Sequence, residues 1–186
     1  YRSSRGLGDV YKRQVIWKDV SGLLNADPKL FKKTEQLFKI SFKEAIELSY
    51  LGASVIHPKT IKPLQNKGIP LSIRSFLNDS QKGSVISNNG ENDRDIPSFI
   101  FKPNQLLISI STKDYSFIFE DHISELFRLF AEVGLKVHLM QNSALNFSIC
   151  GHIKTPLLPK LLSSLNEKYV VKYNEKVDLL LSLIHI

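Results

Sequence analysis

Asp19 is the side chain whose neighbours best equip it to meet a ligand. It follows a short apolar stub at 15–17 (VIW) and precedes Val20, Ser21 and Gly22. A carboxylate beside a glycine turn at a strand end lies where open α/β sheets hold their ligands. His57 carries a group able to move protons near neutral pH. Placed between a strand signal and Pro58, it reads as a structural imidazole packed at a corner. Gln141, Asn142 and Ser143, in MQNSA, offer neutral hydrogen-bonding groups between two apolar stretches. That composition serves a ligand or a plain polar hairpin turn equally. Cys150 is the one cysteine and sits in the alternating string NFSICG. A lone thiol forms neither an internal disulfide nor a metal cluster, so it reads as a small buried hydrophobe.

Two successive patterns must position these residues. In the first, residues 15–17 are a strand stub and 19–29 a loop. Ser41 with Glu44 has capping-box spacing for a helix over 42–51. That helix puts Phe42, Ala45, Ile46 and Ser49 on one face, with lysine and glutamates opposite. Gly52 ends it. A second helix runs over 59–67 to Gly68, and 69–75 (IPLSIRS) alternates with period two, as a strand does. Residues 89–103 hold an Asn/Asp-rich run before Pro97 and read as a linker. The second pattern begins with a strand at 106–112, then a helix over 119–133 stopped by Gly134. Strands at 137–140 and 146–150, a helix over 155–168 with Pro156 in its first turn, and strands at 170–173 and 177–181 follow. The order βαββαβ is the ferredoxin-like arrangement.

The chain has 186 residues, enough for one domain or two small ones. Its 42% hydrophobic and 23% charged content is that of an ordinary globular protein. The formal net charge is +7, of which Arg2, Arg5, Lys12 and Arg13 against Asp9 account for three, leaving +4. The remaining lysines are scattered and do not alternate with aromatics, which argues against a nucleic-acid groove. No apolar run approaches the roughly 20 residues that cross a bilayer, and nothing resembles a secretion signal. The expectation is a cytoplasmic protein with neither nucleic-acid nor membrane partners.

Three blocks in order carry a family resemblance. LSYLGASVIHPKTIKP (48–63) resembles the end of the catalytic domain of aspartate kinases, where a helix runs into GAKVLHPRT. WKDVSGLLNADPK (17–29) is similar to that family's nucleotide loop, WTDVDGIYTADPR, and residues 105–180 resemble its first regulatory ACT unit. The resemblance implies an α/β chain: the C-terminal part of an amino-acid-kinase αβα domain over 15–88, a linker over 89–103 and a ferredoxin-like ACT domain over 104–181. It also implies ATP-dependent phosphorylation of the L-aspartate side-chain carboxylate, the first step towards lysine, threonine and methionine, with Mg²⁺ accompanying ATP. By resemblance the ATP-binding positions are Lys18, Asp19, Leu24, Lys29 and Ser54. Lys18 stands where the family has threonine, Leu24 where several members have tyrosine, Lys29 where it has arginine, and Ser54 where it commonly has lysine. The effector positions implied are Lys136, Val137, His138, Gln141, Asn142, Ser143, Ala144 and Leu145. Lysine-inhibited relatives carry acids at the positions of His138 and Ala144, whereas Gln141 and Asn142 suit threonine equally well. A homo-oligomer assembled through ACT units is also implied.

The family's Lys-Phe-Gly-Gly motif is not found in the sequence. The chain as written is therefore expected to hold part of the ATP site, no catalytic residues and no aspartate site, and to be inactive alone. Residues 1–14 and 182–186 resemble adapter-derived strings and are set apart from the fold. An alternative is a free-standing regulatory subunit that binds lysine or threonine without catalysis.

Overall fold

The structure, a computed structural model, describes residues 12–52, 56–78, 80–89 and 96–183. The chain divides into two compact units, with breaks between Phe101 and Lys102 and again between Leu179 and Leu180. The architecture is mixed α/β, as expected.

The first unit contains β1 (Gln14–Lys18), β2 (Leu23–Leu24), β3 (Gln36–Leu37), β4 (Lys39–Ser41), α1 (Phe42–Leu51), α2 (Pro58–Asn66), β5 (Leu71–Ser75) and β6 (Ser84–Ser87). Its main sheet has the order β1-β5-β6-β4. β1 runs parallel to β5 and β4 parallel to β6, while β5 and β6 are antiparallel. A small antiparallel pair, β2-β3, stands apart from it. Leu71, Ile73 and Ile86 from the sheet meet Phe42, Ala45 and Leu48 of α1 and Ile61 and Leu64 of α2 in one core.

α1 begins and ends where its sequence signals put it. The Ser41 hydroxyl accepts from the Glu44 amide at 3.0 Å, and Gly52 closes the helix at φ 118°. One residue departs from expectation. Glu44 is only 4% exposed and sits among the buried residues of α1, not on its polar face. It lies in the first turn of the helix, between the buried Phe42 and Ala45. His57 also differs. It is exposed, and its Nδ1 accepts from the Lys59 amide at 3.1 Å, so it caps α2 and is not a packed imidazole.

The second unit contains β7 (Ser98–Thr112), which starts in the first, α3 (Glu120–Glu132), β8 (Lys136–Asn142), β9 (Asn146–His152), a 3-10 turn (Thr155–Leu157), α4 (Leu158–Lys168) and β10 (Tyr169–Leu183). The sheet order β10-β7-β9-β8 is that of a split βαβ fold. Leu126 and Phe130 of α3 and Leu158, Leu161 and Leu165 of α4 cover one sheet face through Leu106, Ile108, Ile110, Phe147 and Ile149. Cys150 is 5% exposed, a buried thiol as read.

Two strands are longer than their alternation suggests. β7 begins at Ser98, inside the stretch expected as a linker. Ser98 and Ile100 are buried in alternation, and the Phe99 amide donates to the Asn25 carbonyl at 2.7 Å. β10 joins the two short strands read at 170–173 and 177–181, and runs through Ser182 and Leu183. Asn104 and Lys176 adopt positive φ (56° and 57°) within these strands, which shifts the side-chain phase and hides their continuity.

Candidate functional site

The carboxyl ends of β1 and β5 lie side by side, because the two strands are parallel and Lys18 pairs with Ser75. The Phe76 amide extends the ladder by donating to the Lys18 carbonyl at 2.9 Å. Asp19 therefore emerges at the sheet edge where α/β proteins bind ligands, and it is exposed. One residue earlier, the Arg74 guanidinium lies 5.6 Å from the centre of the Trp17 ring, a cation–π spacing.

From there the chain turns over β6. The Ser84 hydroxyl is fully buried and accepts from the Leu23 amide at 2.8 Å. Gly22, at φ 158°, passes so close that a Cβ would strike Ser84 Oγ and come within 2.6 Å of Gln36 Nε2. Gln36 in turn donates to the Ser21 carbonyl at 3.2 Å. Leu24 is half-buried on β2, opposite Gln36. Asn25 clamps the following loop. It exchanges backbone and side-chain bonds with Glu35 (2.9 and 2.8 Å), and its amide group donates to the Pro97 carbonyl at 3.1 Å. Lys29 is exposed within that loop, in a turn made by the Asp27 carboxylate accepting from the Lys29 amide at 2.9 Å.

Lys18 thus ends β1, Asp19 follows it, Leu24 lies on β2 and Lys29 in the loop beyond, all within one stretch of chain pinned to the sheet. Ser54 lies outside the described residues. Of the residues that hold the loop in place, Gly22 was read as a turn beside Asp19, while Asn25, Gln36 and Ser84 escaped the sequence reading. The β2-β3 partners are twelve to fourteen residues apart and two residues long, too short for an alternation signal. A hollow of about 350 Å³ between α1 and α2 is lined by Ile46, Glu47, Tyr50, Leu51 and Pro58. None of the candidate residues lines it.

The second set of candidates lies on β8, an edge strand of its sheet, and on the turn into β9. Ser143 closes that turn: its amide donates to the Asn146 carbonyl at 2.8 Å, and its hydroxyl accepts from the Asn146 amide at 3.2 Å. Gln141 to Leu145 are all exposed. The Ala144 carbonyl accepts from the Ile118 amide at 2.9 Å, which brings the exit of β7 and the start of α3 against the turn. Tyr115, Phe117 and Phe119 project from this exit. Phe119 is 59% exposed and does not join the apolar face of α3. Lys136, Val137 and His138 are at the other end of β8. There His138 Nδ1 sits 3.0 Å from the Nζ of Lys102, a residue the sequence did not single out. The structure therefore divides these candidates between the two ends of one strand.

Residues 11–75, the stretch that includes the strand-end loop with β1 and β5, match the Amino acid kinase family. More narrowly, the chain is a relative of the aspartate kinases. It is 30% identical over 166 residues to the chloroplastic bifunctional aspartokinase/homoserine dehydrogenase 2 of Zea mays, covering 86% of this chain and 18% of that protein. It superposes on E. coli aspartokinase III in complex with lysine and aspartate (T-state) with TM-score 0.76 at 25% identity, and on the same enzyme with aspartate and ADP (R-state) with TM-score 0.72 at 25% identity. In both cases 91% of this chain and 39% of that chain are covered. The chain thus spans under half the length of each of these relatives. No helix among the described residues is long and apolar enough to cross a membrane.

Proposed function

We propose that the chain is a segment of an aspartate kinase that supplies one wall of the ATP site and an amino-acid-sensing ACT unit. The whole protein would transfer the terminal phosphoryl group of ATP to the side-chain carboxylate of L-aspartate, giving 4-phospho-L-aspartate. The observation that carries this reading is the position of Asp19: it stands at the β1 end, on a loop pinned by Ser84, within an alignment to aspartokinases that runs through both units.

Phosphoryl transfer is governed by positioning and by cations that neutralise developing charge. In this reading Asp19 accepts hydrogen bonds from the nucleotide's sugar, Leu24 gives an apolar contact, and Lys18 and Lys29 bring positive charge towards the phosphates. Lysine does so as a point charge, without the bidentate grip of arginine. Mg²⁺ would supply further charge neutralisation. Among the described residues no group of three or more His, Cys, Asp or Glu side chains gathers to hold a metal. The exposed turn Gln141–Leu145, against the exit of β7, is the proposed seat of the effector, threonine or lysine. E. coli aspartokinase III has been solved with lysine and aspartate and with aspartate and ADP, which supports ligands of these classes. We place the protein in the cytoplasm, although the maize relative is chloroplastic by name.

The test is to read the coding sequence on both sides of this chain, express the complete product and trap aspartyl phosphate with hydroxylamine. Hydroxamate formation that needs both ATP and L-aspartate supports the proposal. A complete, folded product that forms none overturns it.

A further inference from the structure

Basic groups from three strands meet at the Lys136 end of β8. Lys102 Nζ on β7 and His138 Nδ1 on β8 are 3.0 Å apart, and both residues are partly buried. Lys136 and His152 are register partners between β8 and β9, and both add their charge to the field at His138. The register shifts between Val137 and Leu139, leaving His138 as the bulged residue without a partner on β9. Gly151 makes this close packing possible: a Cβ there would strike the Lys136 carbonyl oxygen and come within 3.2 Å of Val137 Cα.

Nothing in the described structure balances this charge. Two ion pairs among the described residues, Arg128–Glu132 and Lys168–Glu125, involve none of the four groups. On the neighbouring β10, Asp178 directs its carboxylate to the Asn104 amide at 3.2 Å. Burial, then the charges of Lys102, His152 and Lys136, hold His138 below its ordinary value. Burial does the same to Lys102. Two lysine ammonium groups and two imidazoles gathered at a strand end, with no carboxylate among them, offer charge and hydrogen-bond donors to an anion.

We propose that Lys102, Lys136, His138 and His152 form a binding site for a small oxyanion, a carboxylate or a phosphate. Lys136 and His138 are also among the effector positions the resemblance implies, whereas Lys102 and His152 are not, and the site stands on these four groups whatever reaction the whole protein performs. A bound oxyanion offsets the repulsion at His138 and favours its imidazolium, so binding tightens as pH falls through the titration of His138.

The experiment is an NMR titration of the histidine imidazoles in the full chain. Inorganic phosphate and succinate are added separately, against sodium chloride at matched ionic strength. The expected result is a saturable change at His138, with its titration midpoint moved upward by the bound anion. Lys102→Met and the exposed Lys136→Met should each weaken binding about five- to tenfold. Saturation by phosphate alone assigns the site to phosphates, and saturation by succinate alone assigns it to carboxylates. The proposal is overturned if neither anion saturates, if chloride reproduces the change, or if Lys136→Met in a folded chain leaves the affinity untouched.

Discussion

A side chain at position 22 would collide with the hydroxyl that fixes the next residue, so Gly22 and Ser84 act as one joint. Gly22→Ala should lose about 1–3 kcal/mol of stability through strain and the displaced Ser84 bond. Ser84→Ala, which leaves the Leu23 amide unsatisfied, should lose about 1–2 kcal/mol. Urea midpoints check both, and unchanged midpoints would show that the loop is not held this way. His138 makes a pH prediction. Its folded value lies below the ordinary 6.5, so the unfolded chain binds the proton more readily. Stability tied to this group is then present above about 6.5 and lost as pH falls towards its lower folded value. His138→Gln should reduce the fall in urea midpoint between about pH 7 and pH 5, and an identical fall in both proteins would contradict the assignment. Asp19 and the turn residues were legible because chemical type and local spacing suffice to notice them. Ser84, Gln36 and Lys102 were not, because each acts on a residue far away in sequence.

Among the elements, α1 was legible to the residue because both of its ends carry local chemistry, the Ser41 cap and Gly52. Ser41→Ala should remove about 1 kcal/mol of stability by freeing the Glu44 amide. Leu161 is fully buried on α4, within the second unit's core. Leu161→Ala should cost about 2–5 kcal/mol, seen as a lower midpoint for that unit. The helices of the second unit were legible from their 3.6-residue period. The long strands were not: the positive φ of Asn104 and Lys176 breaks the alternation that marks a strand. The β4 strand was hidden as well, since three residues cannot show a period. Glu44 and His57 were misassigned for a related reason. Sequence gives the face of a helix but not what lies against its first turn.

At the scale of the whole molecule, the order of elements and three sequence blocks point the same way as the superposition on aspartokinase III. The chain covers a limited part of such proteins, 18% of the maize relative, and the proposed function gives its described residues one wall of a nucleotide site and no complete reaction centre. That is the claim to test first. Trp17 is the sole tryptophan and stands one residue before Lys18 and two before Asp19, so its fluorescence reports on the proposed site. Titration with ADP should produce a saturable change with a dissociation constant on the order of millimolar, as befits part of a site. Asp19→Ala and Lys29→Ala should each weaken it. No saturable change, or one that both substitutions leave intact, would contradict the assignment of this loop to the nucleotide.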